Sequence, residues 1–188
     1  MRKWLWMWLG WMTANAAGWA VTALLIDVMP ELNSMLGLAL VATVQWVPLR
    51  RYVHGSGVWV LVTYVAGFGG SLAGLLFLQL LGLPPDEALG FGPNALLWAV
   101  DGAVIGLAQA FLFRPAPPNR FVWAAASALG FTVAAPLSML VRLWTGSAVM
   151  DWPSSLVFGG VSGLVSGAGL IWMLMQAPGR GIGLSTRL

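Results

Sequence analysis

The chain has 188 residues, 59% of them hydrophobic and only 8% charged, with no cysteine and a mean hydropathy of +0.84. An ordinary soluble domain keeps about a quarter of its residues ionised, so this composition excludes a soluble enzyme, a disulfide-stapled secreted domain and a cysteine-ligated zinc or iron–sulfur centre. The net charge of +3 from nine basic residues is too small for phosphate tracking and excludes a nucleic-acid partner.

Six stretches are long and apolar enough for a bilayer core of about 30 Å, in which each backbone polar group must be satisfied within its own segment. The first, 4–26, opens on Trp4, Trp6, Trp8 and Trp11. Tryptophan favours the membrane interface, and the apolar run is longer than a signal peptide's, so a retained helix is expected. The second, 35–49, is the shortest and holds Pro48 near its end. The third, 58–81, and the fourth, 95–113, flank a proline- and glycine-rich loop at 82–94, which suits a solvated turn or a cap over a cavity. The fifth, 121–144, and the sixth, 156–175, complete an all-α bundle, and 179–188 is read as a short tail.

Charge is sorted between alternate connections. Arg2, Lys3, Arg50, Arg51, Arg114, Arg120, Arg180 and Arg187 fall on one side, eight of the nine basic residues, and Asp27, Glu31, Asp86, Glu87 and Asp151 on the other. By the positive-inside rule both termini are cytoplasmic, and a bacterial inner-membrane protein with several passes is expected. The lipid bilayer is its first partner; Arg50, Arg51 and His54 suit anionic headgroups, or orientation alone.

The odd-numbered spans share a pattern: Trp11, Asn15 and Gly18 recur as Trp59, Thr63 and Ala66-Gly67, and as Trp123, Ser127 and Gly130. Spaced by four and then three residues, these positions lie on one helical face. In the even spans Ala42 to Gln45 aligns with Gly106 to Gln109 and with Gly163 to Ser166. Three tandem helical hairpins at about 4–54, 55–117 and 118–178 account for both patterns. Each crosses the membrane twice, so the copies are expected around a pseudo-threefold axis along the membrane normal. The plainer alternative is that glycine- and alanine-rich helices resemble one another by composition.

Asp101 and Arg142 are the charges left inside or beside the outer half of the spans. An ionised group at membrane depth costs on the order of 3 kcal/mol and needs a partner, so an Asp101–Arg142 ion pair is expected, either at a ligand-accessible vestibule or as a clamp between the fourth and fifth helices. Gln45 and Gln109, with Asn15, Thr63, Ser127 and Ser166, can line a small polar site or serve interhelical hydrogen bonds. Their recurrence favours hydrogen bonding. No cofactor or metal is expected: cysteine is absent, and the one histidine, His54, lies in a loop away from membrane depth.

The stretch Gly160-Val161-Ser162-Gly163 resembles the G-x-S-G signature of rhomboid intramembrane proteases, but those place a histidine base on a later helix. Here Ser162 is in the last span and His54 precedes it, so the protease reading is rejected. In size and span number the whole chain resembles the S-components of energy-coupling-factor transporters, without a substrate-binding motif that matches residue by residue. The Trp-x3-Asn-x2-Gly and Gly-x2-Gln patterns resemble uncharacterised bacterial polytopic membrane proteins built from such hairpins, a likeness that brings no activity with it. The expected function is non-enzymatic: a membrane-embedded subunit of a larger complex, or a binder of a small hydrophobic molecule. The alternative is a transporter or its substrate-binding component, with Asp101 and Arg142 as polar anchors.

Overall fold

The computed structural model describes residues 2–28, 33–53, 55–83, 90–113, 117–147 and 150–176. Among them are six helices: α1 (Arg2–Val28), α2 (Asn33–Leu49), α3 (Ser56–Leu80), α4 (Phe91–Ala110), α5 (Phe121–Thr145) and α6 (Trp152–Met175). Four of these, α3 to α6, are long and apolar enough to cross a membrane, and α2 contributes a shorter apolar stretch, Gly37–Leu49. The all-helical, membrane-type architecture read from composition therefore stands. His54, Asp86, Glu87, Arg114, Arg180 and Arg187 lie outside the described residues.

Two helices begin a turn earlier than periodicity alone indicates, and proline explains both. The α4 helix starts at Phe91 because Pro93 occupies its first turn, where the missing N–H would have had no intrahelical acceptor. The α6 helix starts at Trp152 because Pro153 sits in its first turn and Asp151 caps it, accepting the Ser154 backbone N–H at 3.1 Å. Pro48 lies at the other extreme, in the last turn of α2, after which Tyr52 donates its N–H back to Leu49 at 2.7 Å and the chain turns. Val53 then forms an isolated antiparallel bridge with Phe113, tying the connection after α2 to the one after α4.

The helices form a closed ring. Among the described residues each packs on its chain neighbours, and α6 closes on α1. The centre is filled by aromatic side chains from non-adjacent helices. At the end holding the start of α1, Trp11 meets Trp123 edge-on at 5.3 Å, and Phe113 bridges Trp123 and Trp59 at 5.6 and 6.0 Å. Toward the opposite end Trp98 and Phe158 are 4.7 Å apart, with Trp19 and Phe131 against them. Each such pair adds about 0.5–1.5 kcal/mol beyond the area it buries.

Polarity is arranged inside out relative to a soluble protein. Asn15, Gln45, Thr63, Asp101, Gln109 and Ser166 are buried, whereas Phe68 is 71% exposed and Trp144 86% exposed. Contiguous apolar surface of this kind is stable against lipid, not against water.

With no hydrophobic effect between helices in lipid, close packing depends on small residues. A Cβ added at Gly106 would lie 2.8 Å from Ala124 Cα, and one at Gly163 2.9 Å from Asn15 Cβ and 3.0 Å from Met12 Cα. Gly69, by contrast, has nothing within 4 Å. Gly106→Ala is therefore expected to cost about 1–3 kcal/mol through overpacking, and Gly69→Ala to be neutral or slightly stabilising through helix propensity. Thermal unfolding of the two variants in one mild detergent checks the contrast; equal midpoints would contradict the packing assignment.

The Asp151 cap gives a pH expectation. Slight burial pushes its carboxyl up, but hydrogen bonds from Ser154 and Thr145 outweigh this and hold it below the ordinary aspartate range. A depressed folded pKa contributes stability that is present above the unfolded value, about 3.9, and is lost as pH falls through the folded one. The difference in midpoint between wild type and Asp151→Ala should thus be constant from pH 8 to 5 and shrink below about pH 4; a difference that grows on acidification would contradict it.

Candidate functional site

Five of the buried polar side chains, Asn15, Gln45, Thr63, Gln109 and Ser166, gather in one layer toward the end of the bundle at which α1 begins. They are held by helix register. On α1, Trp11 and Asn15 are one turn apart, and the Asn15 side-chain amide donates to the Trp11 carbonyl at 2.9 Å. This leaves the Asn15 Oδ1 to accept from Gln45 Nε2 of α2 at 2.8 Å. On the opposite side of the ring Gln109 Nε2 of α4 donates to Thr63 Oγ1 of α3 at 2.8 Å, and Gln109 Oε1 accepts from Trp123 Nε1 of α5 at 3.2 Å. The third link runs from Trp11 Nε1 to Ser166 Oγ of α6 at 3.0 Å, and that hydroxyl donates to the Ser162 carbonyl at 2.6 Å.

Gln45 and Gln109 thus sit where the sequence puts them, near the ends of α2 and α4, and each is engaged with a polar residue of the preceding helix. Sequence reasoning misses the part played by tryptophan: it reads Trp11 as an interface residue, and Trp11, Trp59 and Trp123 as the aromatic positions of a repeated helical face, whereas Trp11 and Trp123 donate into the polar layer. A signal for this was available. Trp123 lies 14 residues beyond Gln109, the same spacing that separates Trp59 from Gln45. In that second pair neither Trp59 Nε1 nor Gln45 Oε1 has a hydrogen-bond partner, although both are buried.

Asp101 departs from expectation. It lies in the middle of α4, and its carboxylate accepts a hydrogen bond from Ser71 of α3 at 3.4 Å, over Gly70, whose missing side chain makes the room. Its neighbour Gly102 packs on Phe131 of α5. Arg142 is eleven residues further along α5, in its last turn, about 16 Å away at 1.5 Å per residue. The expected Asp101–Arg142 ion pair does not form, because the two belong to different depths; the missing clue was that α4 begins at Phe91, which moves Asp101 from near a helix end to its centre.

Ser162, in the stretch likened to a protease motif, donates to the Gly159 carbonyl at 3.2 Å within its own helix. Among the described residues no three of His, Asp and Glu gather as a metal site would require. Compared with protein-family models, curated proteins and solved structures, the chain matches none.

On the lipid side, α1 and α2 diverge around an open apolar groove of about 480 Å³, lined by Trp6, Gly10, Thr13, Ala14, Val47 and Pro48 among others. A smaller groove of about 350 Å³ lies over α2 and α3, lined by Ala39, Gly57, Val60, Leu61 and Tyr64.

Gln109 is the side chain of the layer that bonds to two other helices, α3 and α5. Gln109→Leu strands the Trp123 N–H in an apolar interior and is expected to cost about 1–3 kcal/mol, whereas Asp101→Asn retains an acceptor for Ser71, removes a charge from the membrane interior and should leave stability unchanged or raised. Unfolding of both variants in the same detergent checks this; a Leu variant as stable as wild type would show the layer to be unimportant.

Proposed function

We propose that the chain is a non-enzymatic integral membrane protein of the bacterial inner membrane that binds a small hydrophobic molecule at its lipid-facing grooves. One contrast carries the reading: the interior polar groups are largely spent on one another, while two apolar grooves open outward. No acid, base and nucleophile come within reach of each other among the described residues, which favours binding over chemistry. Small apolar ligands are held in concave surfaces of this size, with few polar groups.

The architecture proposed with it is three hairpin repeats around a pseudo-threefold axis, with both termini cytoplasmic. The order of the polar links supports it at two of the three seams: the tryptophan that opens the recurring pattern of one hairpin donates to the even helix of the hairpin before it, from Trp123 to Gln109 and from Trp11 to Ser166. The charge sorting supports the orientation. A role as a subunit of a larger membrane complex is the competing form of the same reading, since Gly10, Ala14 and Ala17 along the larger groove have the spacing on which a partner helix packs.

Asp101 favours a second reading, transport, because an acidic side chain at mid-membrane commonly marks a substrate or ion pathway. In that case Asp101, rather than an Asp101–Arg142 pair, would be the polar anchor.

Purification from native membranes in mild detergent, followed by mass spectrometry of the organic extract, tests the proposal. A near-stoichiometric apolar molecule, depleted by Ala14→Trp in the larger groove or Leu61→Trp in the smaller, is the expected result. Recovery of a stoichiometric second polypeptide, with no such molecule, would replace binding by the subunit role.

A further inference from the structure

Of the seams between successive hairpins, α2–α3 is the loosest, and it carries Ala42 where the other two carry Gly106 and Gly163. In α4 and α5, Gly102 rests on Phe131, with a built Cβ 3.0 Å from the ring's Cβ. Seven residues on from Gly102 is Gln109, and seven back from Phe131 is Ala124, the neighbour of Trp123. The two therefore share a depth, and their hydrogen bond closes at 3.2 Å. The α2 and α3 helices repeat this register with the large and small partners exchanged. Leu38 rests on Gly67, with Cδ1 3.0 Å from a built Cβ; seven residues on is Gln45, and seven back is Val60, the neighbour of Trp59.

Between these levels the seams differ. Gly106 lets α4 approach until a Cβ would be 2.8 Å from Ala124 Cα, whereas α2 has Ala42 in the corresponding place, fully buried. These two helices share the smallest interface in the ring, which we attribute to the Ala42 Cβ standing where the other seam has bare backbone. Behind it, Trp59 Nε1 and Gln45 Oε1 stand at one depth on facing helices, a donor and an acceptor without partners, on residues only 0% and 6% exposed. Trp19 and Trp46 also carry buried indole N–H groups without partners, but neither has an unmet acceptor such as Gln45 Oε1 set at its depth by this register. A donor and an acceptor left unmet in an apolar interior each carry the full cost of their desolvation.

We propose that the α2–α3 seam binds a hydroxyl group, which accepts from Trp59 Nε1 and donates to Gln45 Oε1. A hydroxyl is the smallest group that does both, which an ester, an ether or an alkane cannot. The apolar groove over the same two helices, lined by Ala39, Gly57, Val60, Leu61 and Tyr64, does not include Trp59 or Gln45; it would take the body of an amphiphile whose alcohol head passes inward between the helices to reach them, so a long-chain membrane alcohol is the class that fits both parts. Water offers the same hydroxyl without the body. This inference rests on the proposed binding role and adds to it the polar chemistry that selects the ligand.

The test uses the full chain in phosphatidylcholine nanodiscs, a lipid without a free hydroxyl, with 1-dodecanol and dodecane as matched probes. Dodecanol is expected to raise the unfolding midpoint by about 2–4 °C and dodecane not to. The rise should vanish in Trp59→Phe and in Ala42→Gly, which lets the seam close, and persist in Trp123→Phe. Should neither probe act while the Trp59 indole proton shows an NMR cross-peak to water that Ala42→Gly abolishes, the hydroxyl assignment stands with water as its source, and lipid binding at this seam is refuted. Equal stabilisation by both probes, independent of Trp59, overturns the hydroxyl inference and leaves hydrophobic binding intact. No response to either probe and no water contact overturns it outright.

Discussion

Inside a bilayer a polar group has no water to fall back on, so a buried donor or acceptor that its own helix does not satisfy needs a partner on another. The rest of the structure follows from that requirement. Gln109 can serve Thr63 and Trp123 together only if α3, α4 and α5 approach closely, and they do so where Gly70 and Gly74 of α3 lie against α4 and Gly102 and Gly106 of α4 lie against α5, with bare backbone where a side chain would intervene. The same logic links α6 to α1, where Gly159, Gly163 and Gly167 let Trp11 reach Ser166. Glycine sets the distance, and the hydrogen bond sets the register.

Aromatic packing and polar bonding are joined in the same residues. Trp11 and Trp123 meet edge-on at the centre while their N–H groups point into the polar layer. A phenylalanine in either place would keep much of the packing and lose the link between helices. That double use explains why a chain so rich in tryptophan places Trp11 and Trp123 among its most buried side chains instead of leaving all at the interface, where tryptophan is otherwise favoured.

The fold class and the helices were legible in the sequence because the spans are continuous apolar runs and the connections carry sorted charge. Their starts were less so: Pro93 and Pro153 read as loop signals, yet proline is acceptable in a first turn, and α4 and α6 each extend back over theirs. That shift of one turn took Asp101 from a helix end to a helix centre and turned an expected pairing with Arg142 into a hydrogen bond with Ser71. The glutamines were legible from their recurrence, the tryptophan donors only from the 14-residue spacing. The open seam was not legible, since it depends on whether Ala42 or a glycine stands at one contact level, a difference of one methyl group whose consequence is set by the facing helix.

The central claim, that polar links between glycine-spaced helices hold the ring together, is tested most directly by a double-mutant cycle on Gln109 and Trp123. Unfolding free energies of Gln109→Leu, Trp123→Phe and the double variant in a reversible detergent system give their coupling. The structure predicts a favourable coupling of about 0.6–2 kcal/mol, with the double variant less damaged than the sum of its parts. Strict additivity, with no coupling beyond about 0.3 kcal/mol, would contradict it and reduce the polar layer to passive filling.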